Sequence, residues 1–357
     1  MRLVPARSRI RAVEWRGPET LALVERDAPE AAVGQAVVEV AHCGICGSDL
    51  HSYRHGLAAA PGQVLGHEFS GTVLEAPDVE GLAPGDRVAV RPLIPCSRCR
   101  RCRAGEPNLC EAGAADNIGY GSPGAFAERV LVPRAALGET IFRLPPEVGD
   151  RGGALVEPLA VALHAARLAN VGPADVVLVL GAGMIGLGVT RLLRLAGVGR
   201  LVVADLSPLR RERALALGAD QTIDPRAEDV TKAMREITGP GGFGLGAAVD
   251  VVFDCAGAEE TLSHALKSAR QGGTLVLTAV YAGAVRIHPD RIVEKELLVR
   301  GAFAYRDEFQ AVIDLLASGA VDPDDFVSHS FGLEDVELAF RTQMDTDRSI
   351  KVLVTPR

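Results

Sequence analysis

Four short stretches of this 357-residue chain concentrate the groups that can do chemistry. Cys46-Gly47-Ser48-Asp49-Leu50-His51 and Gly66-His67-Glu68 supply a thiol, imidazoles, a hydroxyl and carboxylates. A third, Cys96-Ser97-Arg98-Cys99-Arg100-Arg101-Cys102 followed by Cys110, has the spacing C-x2-C-x2-C-x7-C. Four soft thiolates from one loop complete a closed tetrahedral zinc site and leave no position for water or substrate, which makes the role structural. Arg98, Arg100, Arg101 and Arg103 are placed to offset the negative charge and to favour thiolate over thiol. An iron–sulfur cluster competes as a reading, but the bacterial ferredoxin run is shorter before its last cysteine and has proline after it. Here Glu111 follows. A thiol cluster without metal is the remaining alternative.

The fourth stretch is Val176-Val177-Leu178-Val179-Leu180-Gly181-Ala182-Gly183-Met184-Ile185-Gly186. It sets a G-x-G-x-x-G fingerprint between an apolar strand and a helix. Gly181 permits the turn, Gly183 lets a pyrophosphate approach the backbone, and Gly186 allows close helix packing. Met184 and Ile185 open the helix whose N-terminus faces the phosphates. A glycine-rich turn of an unrelated α/β protein would have the same look, but Val203-Ala204-Asp205 places an acid about 20 residues further on, at the end of the next strand. The Asp205 carboxylate accepts ribose hydroxyls and repels a 2′-phosphate, so NAD is expected. Arg210 and Arg211 leave NADP open as phosphate contacts, against the ordinary reading of a solvated helix face.

The elements that must position these groups divide the chain. From about Thr20 to Val148, β-rich runs such as Ala36-Val37-Val38-Glu39-Val40 are separated by Gly, Pro and Asp turns, as in an all-β unit. From about Pro158, strands alternate with helical segments, the pattern of a parallel sheet. Strands are expected at Val176–Leu180, Leu201–Ala204, Val249–Phe253 and Thr274–Thr278, with Ile350–Val354 returning to the first domain. The expected division is 1–157, 158–295 and 296–357. Edge strands near Thr274–Val280 and Leu297–Phe303 carry apolar residues and need cover, which leads to a homodimer or homotetramer.

Bulk composition excludes some classes of function. A formal net charge of −8 is the wrong sign for nucleic acid, and no apolar run reaches membrane-spanning length. Seven cysteines, four of them crowded, point to metal-binding thiolates in a reducing compartment, hence the cytoplasm. Arg2, Arg7, Arg9 and Arg11 are expected to form a solvated arm; no apolar stretch follows to make a targeting segment. Cys43 and Cys255 read as small buried hydrophobes. The other histidines, His42, His55, His164, His264, His288 and His329, read as surface or satisfied core residues.

Taken together, Gly44-Ile45-Cys46-Gly47-Ser48-Asp49, Gly66-His67-Glu68, the four-cysteine loop, the fingerprint and Asp205 stand in one order along nearly the whole chain. This set resembles the zinc-containing medium-chain alcohol dehydrogenases. The resemblance implies a GroES-like β-rich catalytic domain with a Rossmann doubly wound cofactor domain, two zinc ions per chain, and NAD. It implies that Cys46 and His67 bind catalytic zinc, with Ser48 and His51 relaying the alcohol proton. Asp49 would orient His67, and Glu68, countered by Lys351, would lie behind the metal or exchange onto it. Glu157, in Leu155-Val156-Glu157-Pro158-Leu159-Ala160, stands where the liver-type enzymes have a third metal-binding cysteine. Its plainer reading is a first-turn carboxylate ahead of Pro158.

The Glu-Pro-Leu run resembles the sorbitol, threonine and 2,3-butanediol dehydrogenase branch. Val299-Arg300-Gly301-Ala302-Phe303-Ala304-Tyr305 and Leu315-Leu316-Ala317-Ser318-Gly319 look most like bacterial 2,3-butanediol dehydrogenases. The implied reaction is reversible oxidation of a secondary alcohol of a polyol or vicinal diol to a ketone. Zinc acts there as Lewis acid and nicotinamide as hydride acceptor. A cyclitol or amino-alcohol dehydrogenase of a biosynthetic pathway is the alternative substrate reading. A non-catalytic NAD-binding scaffold would have no need of Cys46, Ser48, His51, His67 and Glu157 together. Tyr53, Ile118 and Phe303 are expected near the substrate by neighbourhood alone.

Overall fold

The computed structural model describes residues 8–244 and 246–356, so Arg2 and Arg7 lie outside the described residues. The chain forms two compact units: Met1–Glu157 with Phe309–Asp345 and Lys351–Arg357, and Pro158–Glu308 with Thr346–Ile350. The second unit therefore continues past the expected 295, because the strand Leu298–Gly301 joins its sheet.

The first unit is built on two sheets. A small one has the order β2-β1-β4, from β1 (Arg9–Gly17), β2 (Thr20–Asp27) and β4 (Gln63–Val64). Arg9 and Arg11 are thus strand residues, not part of an arm. Each is held by a carboxylate across the pleat, Arg9 by Asp27 and Arg11 by Glu128, both at 2.8 Å. The larger sheet runs β15-β16-β3-β5-β6-β8, with β7 also paired to β3. Its strands are β3 (Ala36–Gly44), β5 (Glu68–Glu75), β6 (Arg87–Val90), β7 (Arg129–Val132), β8 (Ile141–Arg143), β15 (Val327–Gly332) and β16 (Lys351–Thr355). Val-rich β3 is paired on both sides and buried along most of its length, as its apolar run dictates. Phe69, Phe126 and Phe340 fill the core beneath it, with the last two rings packed edge to face at 5.6 Å.

The second unit holds an all-parallel sheet in the order β11-β10-β9-β12-β13-β14. The strands are β9 (Val176–Leu180), β10 (Arg200–Ala204), β11 (Gln221–Ile223), β12 (Val249–Asp254), β13 (Ala269–Leu277) and β14 (Leu298–Gly301). This is the doubly wound order, with its switch point between β9 and β12. Helices on both faces explain the continuous apolar sequence of β9. β13 is paired on both flanks, so of the two expected edges only β14 is one. Among the described residues, no helix is long and apolar enough to cross a membrane.

Candidate functional site

In the first unit, pairing of β3 with β5 sets Gly44 opposite Glu68, and β16 returns to pair with the end of β3. Gly44 is required there because a Cβ would sit 2.2 Å from a Glu68 carboxylate oxygen. After the β3 end the chain turns into the helix Gly47–His55, with Cys46 as N-cap. Asp49 in its first turn accepts the Cys46 N–H at 2.9 Å through Oδ2 and the Gly66 N–H at 3.2 Å through Oδ1. Oδ1 also lies 3.5 Å from His67 Nδ1. One buried carboxylate thus ties both loops together and turns the imidazole so that Nε2 points away from it. Cys46, His67 and Glu68 offer ligand atoms all within 4.8 Å of one another. Burial opposes charge on His67, yet Tyr120, Asp49 and Cys46 together hold its pKa well above the ordinary imidazole range.

Around Nε2 stand two hydroxyls, Ser48 Oγ at 3.4 Å and Tyr120 OH at 3.3 Å, themselves 3.1 Å apart. Behind Glu68, the buried Lys351 ammonium donates to both carboxylate oxygens at 2.8 and 2.6 Å and to the Ile45 carbonyl at 2.9 Å. Burial pulls the Lys351 pKa down, but Glu68 and Cys46 more than reverse this and raise it. Glu157 is also buried, in the first turn of the helix Val156–Ala169, and its charge acts on Lys351. It is not part of the three-residue ligand grouping. His51 lies on the same helix as Ser48, with its ring 6.3 Å from His55. No direct hydrogen bond joins His51 to Ser48 among the described residues. Burial, then His55 and Arg54, lower the His51 pKa.

The four-cysteine loop gathers Cys96, Cys99, Cys102 and Cys110 into a second ligand grouping. Backbone amides point at the sulfurs: Cys96 N–H donates to Cys110 Sγ at 3.3 Å and Cys99 N–H to Cys96 Sγ at 3.3 Å. Hydrogen bonds from the Glu111 and Cys102 amides bring the Cys99 pKa down to about 6, the environment a thiolate ligand needs. The arginines are partly diverted from charge balance. Arg100 approaches Glu111 at 3.6 Å and Arg101 pairs with Glu106 at 2.7 Å.

In the second unit, a cavity of about 390 Å³ opens where β9 and β12 end. It is lined by Gly181, Gly183, Asp205 and Arg210 among others, and its volume is that of a ligand site. A Cβ on Gly186 would fall 1.8 Å from the Gly181 carbonyl oxygen, so the helix meets the turn only because residue 186 is glycine; Gly181 itself has φ +92° and a Cβ there would lie 2.9 Å from the Ala256 Cβ. Met184 and Ile185 lie in the first turn of the helix Met184–Leu195 and do not line the cavity. Asp205 accepts the Ala182 N–H at 2.6 Å and the Ser207 N–H at 2.8 Å, which fixes its carboxylate at the rim. Arg210 is anchored by the Ser349 carbonyl at 3.0 Å, and its pKa is lowered by burial against the pull of Asp205 and Asp347. Arg211 instead binds the Asp205 and Leu206 carbonyls at 2.8 Å.

Comparison with known proteins agrees with this geometry. Residues 32–143 match the alcohol dehydrogenase GroES-like domain, and residues 185–318 match the zinc-binding dehydrogenase domain. The (R,R)-butanediol dehydrogenase of Bacillus subtilis (strain 168) is 34% identical over 97% of this chain and 100% of its own length. The chain belongs to the zinc-binding alcohol dehydrogenase family. It is an oxidoreductase of that kind. The sorbitol dehydrogenase of Arabidopsis thaliana is 36% identical over 87% of this chain and 85% of its own. A zinc-binding dehydrogenase of Sinorhizobium meliloti 1021, solved bound to NADP, superposes with a TM-score of 0.88 at 35% identity. That match covers 98% of this chain and 100% of that one.

Several residues of this dehydrogenase fall elsewhere than expected. Tyr53 and Ile118 are core residues, 3% and 0% exposed, with the Tyr53 ring against Phe340 at 5.1 Å. Phe303 is 59% exposed. Cys255 lines the cavity in the second unit beside Ala256 instead of serving only as a core hydrophobe, though burial raises its thiol pKa to about 12. Its place after a strand at the switch point was the available signal. Tyr120 had only a weak one, a position within the turn-forming run Gly119-Tyr120-Gly121-Ser122.

Proposed function

We propose that the protein is an NAD-linked dehydrogenase with two zinc sites, which oxidises a secondary alcohol of a polyol or vicinal diol, 2,3-butanediol-like, to the ketone. The observation that carries this reading is the convergence of Cys46, His67 and Glu68 with the Ser48 hydroxyl 3.4 Å from His67 Nε2. A thiolate, an imidazole and carboxylates are a donor set suited to zinc, and the Asp49 carboxylate near Nδ1 is the support that a metal-bound histidine requires.

Cys46 and His67 Nε2 would hold the catalytic ion, with Glu157 or Glu68 completing the set; Cys96, Cys99, Cys102 and Cys110 would hold the structural one. Bound zinc supplies a Lewis acid that polarises a substrate oxygen. Ser48 Oγ would take the substrate hydroxyl proton, and His51 would pass it to solvent. Lys351 fixes the Glu68 carboxylate by two hydrogen bonds. In the second unit, Gly181 and Gly183 would cradle the pyrophosphate at the helix N-terminus, and Asp205 the adenosine ribose. Arg210, at the same cavity, is the residue that would admit a 2′-phosphate. Association into a dimer or tetramer is supported by β14, an edge on which Leu298 and Val299 are 47% and 38% exposed.

The test is a screen of NAD and NADP reduction over diols, sugar alcohols, cyclitols and amino alcohols, with zinc counted by elemental analysis. The expected result is two zinc ions and preferential NAD reduction with a diol or polyol. Zinc-replete, folded protein that oxidises none of these alcohols would overturn the reading. In the same assay Asp205→Gly should weaken NAD by about tenfold or more, since hydrogen bonds to a charged group contribute about 1.5–3 kcal/mol. Unchanged NAD kinetics would remove Asp205 from the site.

A further inference from the structure

We propose that Tyr120 is a substrate-positioning residue whose hydroxyl, paired with that of Ser48, recognises the second hydroxyl of a vicinal diol. This rests on the dehydrogenase reading above and narrows its substrate class. The argument starts from the number of hydroxyls at one atom. Asp49 faces His67 Nδ1, so Nε2 is the nitrogen directed at the metal position. Both Ser48 Oγ and Tyr120 OH lie against that nitrogen, at 3.4 and 3.3 Å. A mono-alcohol has one proton to give up, and Ser48 alone is enough to take it. A second hydroxyl beside the first has work only if the substrate brings a second oxygen. The two oxygens of a vicinal diol are separated by three single bonds, the scale of the 3.1 Å between Ser48 Oγ and Tyr120 OH.

The partner balance of the phenol points the same way. Once Nε2 is taken up by metal and Ser48 by the reacting hydroxyl, the partners of Tyr120 in this structure are otherwise engaged. A half-buried phenol hydroxyl left without a partner is costly, and a neighbouring substrate hydroxyl supplies one. The ring is also held in advance of binding. The N–H groups of Tyr120, Gly121 and Ser122 all donate to the Asn117 carbonyl, at 3.2, 2.9 and 2.9 Å, and Asn117 Oδ1 accepts the Ile94 N–H at 2.9 Å. The ring itself leans on the His67 imidazole, with centroids 5.0 Å apart and planes at 35°. Little ordering cost is left for the substrate to meet.

The experiment compares 2,3-butanediol with 2-butanol, which has the same skeleton without the second hydroxyl, in the zinc-loaded wild type and in Tyr120→Phe. The wild type should favour the diol, and the variant should lose about three- to tenfold of the diol-to-mono-alcohol ratio of kcat/KM, chiefly through the diol KM. A turnover-free measurement runs beside it: calorimetric binding of pinacol, a diol whose tertiary carbons have no hydride to give, should weaken by a similar factor. Zinc content should stay at the wild-type value. An unchanged ratio with unchanged pinacol binding, or an equal fall for both alcohols, overturns the inference while leaving the dehydrogenase reading intact. Loss of one zinc in Tyr120→Phe overturns it by making Tyr120 a ligand. A wild type that oxidises neither alcohol nor any polyol overturns both readings together.

Discussion

The first unit carries two metal-compatible groupings that are opposites in construction. Cys96, Cys99, Cys102 and Cys110 come from one loop, all half-exposed, and hold one another through backbone amides donated to sulfur. Cys46 comes from one segment and the adjacent His67 and Glu68 from another, and the grouping depends on distant partners, with Lys351 283 residues from Glu68 in sequence. A grouping made within one loop is complete as soon as that loop folds. A grouping made across a sheet exists only when β3, β5 and β16 are in register. The first arrangement suits an ion that stabilises, the second an ion that must leave a coordination position open to substrate.

Breaking each grouping separately tests that contrast. The largest expected effect is Cys46→Ala, which removes an anionic ligand and should lower kcat/KM by about a thousandfold, taking several kcal/mol of transition-state stabilisation at tenfold per 1.36 kcal/mol. One zinc should be lost and the other kept. Retention of both ions with near-normal turnover would end the catalytic assignment. Next, Glu157→Ala should lower turnover by about 10- to 100-fold with the fold and nucleotide binding retained, as loss of ligand support does. Near-normal kcat with full zinc would leave Glu157 as a helix-start carboxylate and pass its role to Glu68.

Cys99→Ser should act on stability before chemistry, because a closed site contributes folding free energy and performs no step. The melting temperature should fall, while turnover per folded, catalytic-zinc-loaded molecule is kept; a selective loss of kcat without destabilisation would contradict the division of roles. The smallest effect belongs to Arg100→Ala. Its exposed contact with Glu111 at 3.6 Å should contribute no more than about 1 kcal/mol by urea unfolding. A larger loss would mean that the arginines balance the thiolate charge after all.

The four-cysteine grouping and the glycine-rich turn between β9 and its helix were legible in the sequence because their geometry is local. Spacing alone fixes which sulfurs can meet around one ion, and the need for glycine at 186, against the Gly181 carbonyl, is set within a single strand-turn-helix. Asp205, directly after β10, follows the same local logic. Tertiary structure decided what depends on pairing between remote segments. Register across β3, β5 and β16 seats Lys351 on Glu68. Packing sends Tyr53 and Ile118 into the core while the turn at Asn117 brings Tyr120 to His67. Strand order makes β13 an interior strand and β14 an edge, and places Cys255 in the lining of the cavity where β9 and β12 end. The physical reason is common to all of these: side-chain neighbours across a sheet are set by register and order, which depend on the whole unit closing its core and not on any short run of residues.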